Sequence, residues 1–380
     1  MKVTSVKALA LDVGFQNAPL ATERVAAPMS RWPQYAESRS SWMWPTKKVF
    51  VRLESDEGIV GWSVTNGGEV VALIINSLFA RLVTNSPIDS ISEFWDQMTN
   101  ALLPVDRSGF AMMAVSGVDI ALWDLKAKSK GVSLVNLLGG AKEESVKTYA
   151  TTTSPELHAN KGWWGLKAPM PYGIEGSDEG MVKNIDLMHK FRDAAGKDGR
   201  IMLDAFMAWD VDYTLRFLEQ SNHLDIFWIE DPLPPQDLDG FRQIKKVAGD
   251  SIRLALGNFC FSRWDCQVLI RERLVDFLQP DIAWVGGITE ALRILDMAKA
   301  AKIPIIFHNT FEQPWAVSMA SACQDKAVIE FVDRGSESQI YSLMGPTLHR
   351  QDGCVWVPNS TRGNTPPEDI EAQFDNFDCN

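Results

Sequence analysis

Beyond residue 145 the apolar positions fall into short β-forming runs, separated by stretches with a helical repeat. The runs are VKTYATT, GWWGLKAP, GRIMLDAF, LDIFWIED, IRLALGNF, LVDFLQPD, KIPIIFHN and AVIEFVD. Between most of them lie amphipathic segments such as MVKNIDLMHKFRDAAG and ITEALRILDMAKAAK. Apolar residues at i, i+3 and i+4 mark helices, and short apolar runs between turn signals mark buried strands. Eight such strands with intervening helices predict an α/β barrel of the TIM type. A doubly wound open sheet is the alternative, but it wants a glycine-rich phosphate loop after its first strand, and YATTTSPE is not one.

Ahead of the barrel the pattern differs. MKVTSVKALALDV alternates with period two, as a half-buried strand does and a signal peptide does not. KKVFVRLESDEGIVGWSVT reads as a hairpin, with Gly58 placed to take the positive φ of a tight turn. Helical periodicity follows in EVVALIINSLFARLV and SISEFWDQMTNALL, and GFAMMAVSGVDIALWDLKAKSKG predicts a long, mostly apolar helix that stops at a glycine. The expected organisation is an N-terminal α+β capping domain over residues 1–120 and a barrel over 121–339. A tail from about 340 to 380 returns to complete the capping domain.

Composition narrows the function. The 380 residues carry a formal charge of -12 and show no stripe of Lys and Arg, so nucleic acid is not an expected partner. No segment approaches the roughly 18 apolar residues of a membrane span, and no membrane association is expected. Five cysteines, odd in number and without a CxxC pair, argue against a disulfide framework or a zinc cage. The expected compartment is the cytoplasm.

The candidate chemistry sits where the strands end. Reading the exits of successive strands gives Asp204, Glu230, Asn258, Asp281, His308 and Glu330, spaced by 26, 28, 23, 27 and 22 residues, each about one βα unit. In a parallel barrel these exits share one rim, the face on which barrel enzymes build their sites. Each residue also has a plainer reading. An acid after a strand serves as the N-cap of the next helix, which fits Asp204, Asp231 or Asp281. His308 in IPIIFHNT, a lone His among apolar neighbours, taken by itself reads more often as a structural histidine than as a base, and Lys167 in GWWGLK also reads as a solvated lysine. Six aligned exits favour a site, because capping does not require Glu, His or Lys in register. Asp204 and Glu230 offer hard oxygens suited to Mg²⁺. His308 beside Asp281 is a base with its orienting acid, and Lys167 suits a substrate anion. A metal opposite such a base points to removal of a proton from carbon next to a carboxylate.

These residues resemble the enolase superfamily, its mandelate racemase subgroup, and within it the rhamnonate dehydratases. The likeness runs through APMSRWPQYAESRSSW, SGVDIALWDLKAK, NLLGG, LKAPMPYG, IMLDAFMAWDVDY, WIEDPLPP, LQPDIAWVGGIT and His308. It implies an N-terminal α+β capping domain on a (β/α)7β barrel, with Mg²⁺ bound by Asp204, Glu230 and the residue at Asn258. It implies a His308–Asp281 dyad that acts first as base and then as acid to the departing hydroxyl. Lys167 and Glu330 become catalytic and substrate-binding residues, and Arg39 of the capping loop a substrate contact. The implied activity is a sugar acid (aldonate, rhamnonate-like) dehydratase giving a 2-keto-3-deoxy acid, in a homo-oligomer such as a dimer or octamer.

The sequence departs from the family twice. Asn258 stands where the family places a Glu, which lowers the ligand charge from three negatives to two. The capping loop, residues about 13 to 45, has no histidine where the rhamnonate enzymes use one, and brings Trp32, Tyr35, Trp42 and Trp44 instead. The alternatives are a racemase or epimerase of a hydroxy acid, for which Lys167 would be the second base, and a degenerate barrel that binds acid sugars without turnover.

Overall fold

A computed structural model describes residues 1–14, 22–43, 46–309, 313–333, 344–345 and 348–376. The chain opens with an antiparallel sheet of β1 (Val3–Leu11), β2 (Lys48–Ser55) and β3 (Val60–Thr65), in that order. The expected hairpin is there, with Gly58 at φ +76 in its turn. Both faces of β2 are covered. Val49, Val51 and Leu53 enter a core made with the capping helices, whereas Phe50 points with Trp62 and Val64 into the core shared with the barrel. The capping helices are Gly68–Ile74, extended through a π turn to Val83, then Ile91–Leu102 and Phe110–Ser129.

The second part is a barrel-type α/β domain. Parallel strands β4 (Ser145–Thr151), β5 (Leu166–Pro169), β6 (Ile201–Asp204), β7 (Ile226–Glu230), β8 (Leu254–Leu256) and β9 (Phe277–Leu278) pair in sequence, and β10 (Val328–Val332) pairs with β4. Helices Ser177–Ala195, Val211–Ser221, Leu238–Ala248, Arg263–Arg271 and Gly287–Ala301 connect most of them.

The predicted strand KIPIIFHN is reduced to one parallel bridge, Leu278 to Ile305. Pro304 has no N–H and contributes only its carbonyl, which accepts from Leu278 N–H at 2.9 Å, while Ile306 N–H reaches Leu278 at 3.0 Å. The segment still runs beside β9 and carries His308 to the rim. Among the described residues no backbone ladder joins it to β10; Asn309 N–H donates instead to the Glu330 carboxylate at 2.8 Å.

Strand alternation decides what faces the barrel axis. Tyr149, Met202, Trp228, Ala255 and Val328 form one inner cluster, with Phe277 packed against it, and their sequence neighbours belong to the outer core. Two residues further along the same faces come Thr151, Asp204, Glu230, Gln279 and Glu330. Lys167 shares the inner side, since Leu166 and Ala168 both lie in the outer core. An aromatic plug, with Tyr149 edge-on to Trp228 at 5.5 Å, thus fills one end, and a polar layer stands above it.

The capping unit grips the loop that follows Asp281. Thr65 Oγ1 donates to Ala283 O at 2.7 Å, and Trp95 Nε1 to Gly286 O at 2.8 Å. Gly286 N–H donates to Ser116 Oγ at 2.8 Å, and Thr289 N–H to Asp119 at 3.0 Å. A Cβ on Gly287 would lie 2.3 Å from the Asp119 carboxylate, so only glycine fits where the two units meet.

The tail touches both parts. Strands β11 (Arg350–Gln351) and β12 (Cys354–Trp356) form a hairpin that pairs antiparallel with the start of β4. Asn364 N–H and Trp62 N–H both donate to Asp124, at 2.7 and 2.9 Å, and Phe374 of the last helix meets Trp62 edge-on at 4.9 Å.

Candidate active site

The polar layer centres on Lys167, which is fully buried rather than solvated. Its Nζ lies 2.8 Å from Glu230, 2.8 Å from Glu330 and 3.7 Å from Asp204. Burial alone would strip its proton, but these carboxylates outweigh that and hold the ammonium well above its ordinary pKa. Glu330 accepts from Thr151 Oγ1 at 2.6 Å and from Asn309 N–H. Burial raises its pKa, yet Lys167 and His308 prevail and bring it down to about 2. Glu230 goes the other way. Burial, then Asp204 and Glu330, push it up to about 7 against the pull of Lys167. The two acids share one ammonium at equal distance, and they diverge because Glu230 stands among further carboxylates while Glu330 has extra donors.

Those further carboxylates are Asp204 and Asp231, each offering an oxygen within 4.8 Å of one from Glu230 and of each other. Four acids against one ammonium leave the layer with surplus negative charge. Asn258 is buried as well. Among the described residues, Asp231 Oδ2 and Asn258 Oδ1 are both buried without a hydrogen-bond partner. Hard oxygens, surplus negative charge and orphaned buried acceptors fit a divalent cation such as Mg²⁺.

Beside this cluster stands the second predicted pair. His308 Nδ1 bonds Asp281 Oδ2 at 2.9 Å, and Asp281 Oδ1 accepts from Ala283 N–H at 2.8 Å and Gln313 Nε2 at 3.1 Å. With Nδ1–H donating to the acid, Nε2 is left as the basic nitrogen. Burial lowers the His308 pKa, but Asp281 and Glu330 raise it by more.

The capping loop lies over this mouth. Ala26 N–H donates to Met170 O at 2.8 Å, beyond the end of β5. Arg39 stacks over Trp42 at 5.3 Å and over Phe206 at 5.6 Å, Phe206 belonging to the loop after Asp204. From Trp42 an aromatic series follows the rim through Phe206, Phe259 and Trp284 to His308, with successive ring centres 5.0 to 6.0 Å apart. Of the four capping-loop aromatics, Trp42 is buried against the barrel and Trp32 is half exposed at 51%. Tyr35 is half-buried, and Trp44 lies outside the described residues.

The capping alternative is answered by position. Asp210 accepts from Tyr213 N–H and Asp237 from Gly240 N–H, so these two cap the helices after β6 and β7. Asp204 and Asp231 are left to the rim. The helix after Asp281 starts at Gly287 and takes its side-chain acceptor from Asp119 of the capping unit. The structure thus brings Lys167, Asp204, Glu230, Asn258, Asp281, His308 and Glu330 to one mouth, with Arg39 above it.

Two polar residues there were not singled out as site residues. Gln279 donates to Glu230 at 3.1 Å, and its place just after β9, two residues beyond the inward-packed Phe277 and two before Asp281, is the available signal. From sequence Asp231 reads only as a cap, and its positive φ of +40 leaves no trace there. It is one of four rim residues in that region, with Phe206, Met207 and Asn309, each storing on the order of 1–3 kcal/mol of strain.

Comparison with known proteins followed the same lines. Residues 32–139 match the family described as mandelate racemase / muconate lactonizing enzyme, N-terminal domain, and residues 159–363 match enolase C-terminal domain-like. L-rhamnonate dehydratase from Gibberella zeae superimposes with a TM-score of 0.91 at 27% identity, over 98% of this chain and 95% of that one. A rhamnonate dehydratase from the same organism, complexed with Mg, gives 0.91 at 26%, with the same coverage. L-talarate dehydratase from Polaromonas sp. JS666, complexed with Mg and L-glucarate, shares the fold at 24% identity with a TM-score of 0.74, over 98% and 96% of the two chains. Among the described residues no helix is long and apolar enough to cross a membrane.

Proposed function

The chain belongs to the enolase superfamily, and from that premise we propose that it is a Mg²⁺-dependent sugar acid dehydratase. It removes the proton α to a carboxylate and expels the β-hydroxyl, leaving a 2-keto-3-deoxy acid. The observation that carries this reading is the His308–Asp281 pair set beside a buried carboxylate cluster on one rim. The structural likeness to a dehydratase supports it.

The residues divide the work as follows. Asp204 and Glu230 would hold the cation, with the third protein oxygen from the Asn258–Asp231 pair. Mg²⁺, when bound there, supplies fixed positive charge for a substrate carboxylate, whose α-proton is otherwise very weakly acidic. His308 Nε2 takes that proton, and Asp281 stabilises the imidazolium and holds the ring in place. The same imidazolium then returns a proton to the departing hydroxyl. Lys167 is the cation for the substrate carboxylate. Glu330, 2.8 Å from Lys167, holds that ammonium in place and contacts the same substrate carboxylate. Arg39, borne on the capping loop, contacts the sugar end.

Lys167 also separates dehydration from racemisation. A second base must be neutral, and an ammonium clamped between Glu230 and Glu330 is not. The test is a library of aldonic and aldaric acids with Mg²⁺ and semicarbazide as the detector of 2-keto product. At least one acid is expected to give that product. Epimerisation without keto acid would return the racemase reading, and no turnover of any acid by metal-replete protein would favour a binding protein.

A further inference from the structure

The inference deepens the proposal above and rests on its reading that a divalent cation sits between Asp204 and Glu230. We propose that Asp231 supplies the third carboxylate to that cation, with the side-chain oxygen of Asn258 a further acceptor at the same rim.

Three observations carry this. One oxygen of Asp231 lies within 4.8 Å of oxygens from both Asp204 and Glu230, which puts it in the same cluster. Asp231 is 5% exposed and its Oδ2 has no hydrogen-bond partner among the described residues. A buried carboxylate without a partner is costly, and a shared cation removes that cost. Asn258, at the exit of the neighbouring strand, is 1% exposed and its Oδ1 has no partner among the described residues, so a further acceptor oxygen is buried at the same rim.

The backbone holds both residues in place. Asp231 N–H donates to Ala255 O at 3.2 Å, and its carbonyl accepts from Met207 N–H at 2.7 Å. Gly257 sits at φ +130 with Gln279 N 3.0 Å from where its Cβ would be, so the turn presenting Asn258 admits no side chain before it. Asp231 also borders a small cavity whose other side chains include Phe241, Leu256, Leu269 and Cys260. That lining offers a carboxylate neither cation nor strong donor. The third negative charge of the site has therefore moved one strand back, from the exit of β8 to that of β7.

The test is direct Mn²⁺ binding by electron paramagnetic resonance, with Mg²⁺ as competitor and no substrate present. Wild type, Asp231→Asn, Asp204→Asn, Asn258→Ala and the double variant Asp231→Asn/Asn258→Glu are compared. Wild type is expected to bind, and Asp231→Asn to weaken binding at least about tenfold, towards the Asp204→Asn value. Asn258→Ala is expected to weaken it less. The double variant, which restores a carboxylate on the neighbouring strand, should recover most of the affinity; it also serves if the single Asp231→Asn variant fails to fold. Asp231→Asn binding Mn²⁺ as tightly as wild type would overturn this proposal and leave the dehydratase reading standing. Wild type that binds neither Mn²⁺ nor Mg²⁺ would overturn both.

Discussion

At the scale of single residues, the site is governed by what each side chain can do once its neighbours are fixed. Asp281 takes three hydrogen bonds, from His308, Ala283 and Gln313, and is fully buried. Its replacement by Asn removes the charge that steadies the imidazolium but keeps the shape. Asp281→Asn should therefore lower kcat by on the order of 10²-fold or more, within the usual span of general acid–base contributions, with little change in KM; steady-state kinetics on the identified acid checks this. Arg39 holds its guanidinium over Trp42 and Phe206 at the mouth. Arg39→Ala should raise KM by roughly 10- to 100-fold, the worth of a charge-assisted contact, and change kcat much less; an unchanged KM would remove Arg39 from substrate binding. The strand-exit residues could be read in sequence because chain spacing alone puts one on each βα unit. Asp231 could not, because only the observed caps, Asp210 and Asp237, show that it is not needed as one.

At the scale of elements, the two-residue period of the strands does most of the positioning. Trp228 and Glu230 share a face, as do Val328 and Glu330, so the residues that fill the barrel and the acids above them are parts of one pattern. That pattern is legible in WIED and VIEF before any coordinates. The seventh strand was legible less completely. Its apolar run reads as an ordinary strand, but Pro304 withholds an N–H and only the Ile305 bridge remains.

The grip of the capping helix on the Asp281 loop was not legible at all, since it joins residues some 170 positions apart. SGVDIALWDL looks like a mostly apolar helix, yet its two acids serve the joints: Asp119 holds the helix after Asp281, and Asp124 the hairpin and tail.

Asp119 gives this joint a pH signature. Burial, only partly offset by Thr289, Ile288 and Arg293, raises its pKa from 3.8 to about 7. The folded protein therefore keeps a proton that the unfolded chain has released. Its contribution to stability is present below the ordinary carboxylate range and is lost as pH climbs towards 7, by about 1.4 kcal/mol for each unit of difference. Chemical denaturation from pH 4 to 8 should show wild-type stability falling relative to Asp119→Asn over that window. Parallel curves for the two proteins would mean that Asp119 is ionised throughout.

At the scale of the whole molecule, two units and a tail cooperate to build one mouth. The barrel supplies the charged layer, the capping sheet and helices fix the Asp281 loop, and residues 22–43 lay Arg39 and Trp42 across the opening. The tail ties the arrangement together by pairing with β4 and bonding to Asp124. A net charge of -12 gives an anionic substrate no general attraction. In the proposed function, recognition is therefore local, through Lys167, Arg39 and a cation held among the acids.

The central claim is that His308 takes the proton from carbon. Its most direct test is proton NMR in D₂O, following an accepted sugar acid with Mg²⁺ and either wild type or His308→Asn. Wild type is predicted to consume the C2 proton signal and form the 2-keto-3-deoxy acid, whereas His308→Asn, still binding Mn²⁺ as wild type does, forms no product and leaves that signal intact. A His308→Asn protein that continues to exchange or eliminate at C2 would contradict the account.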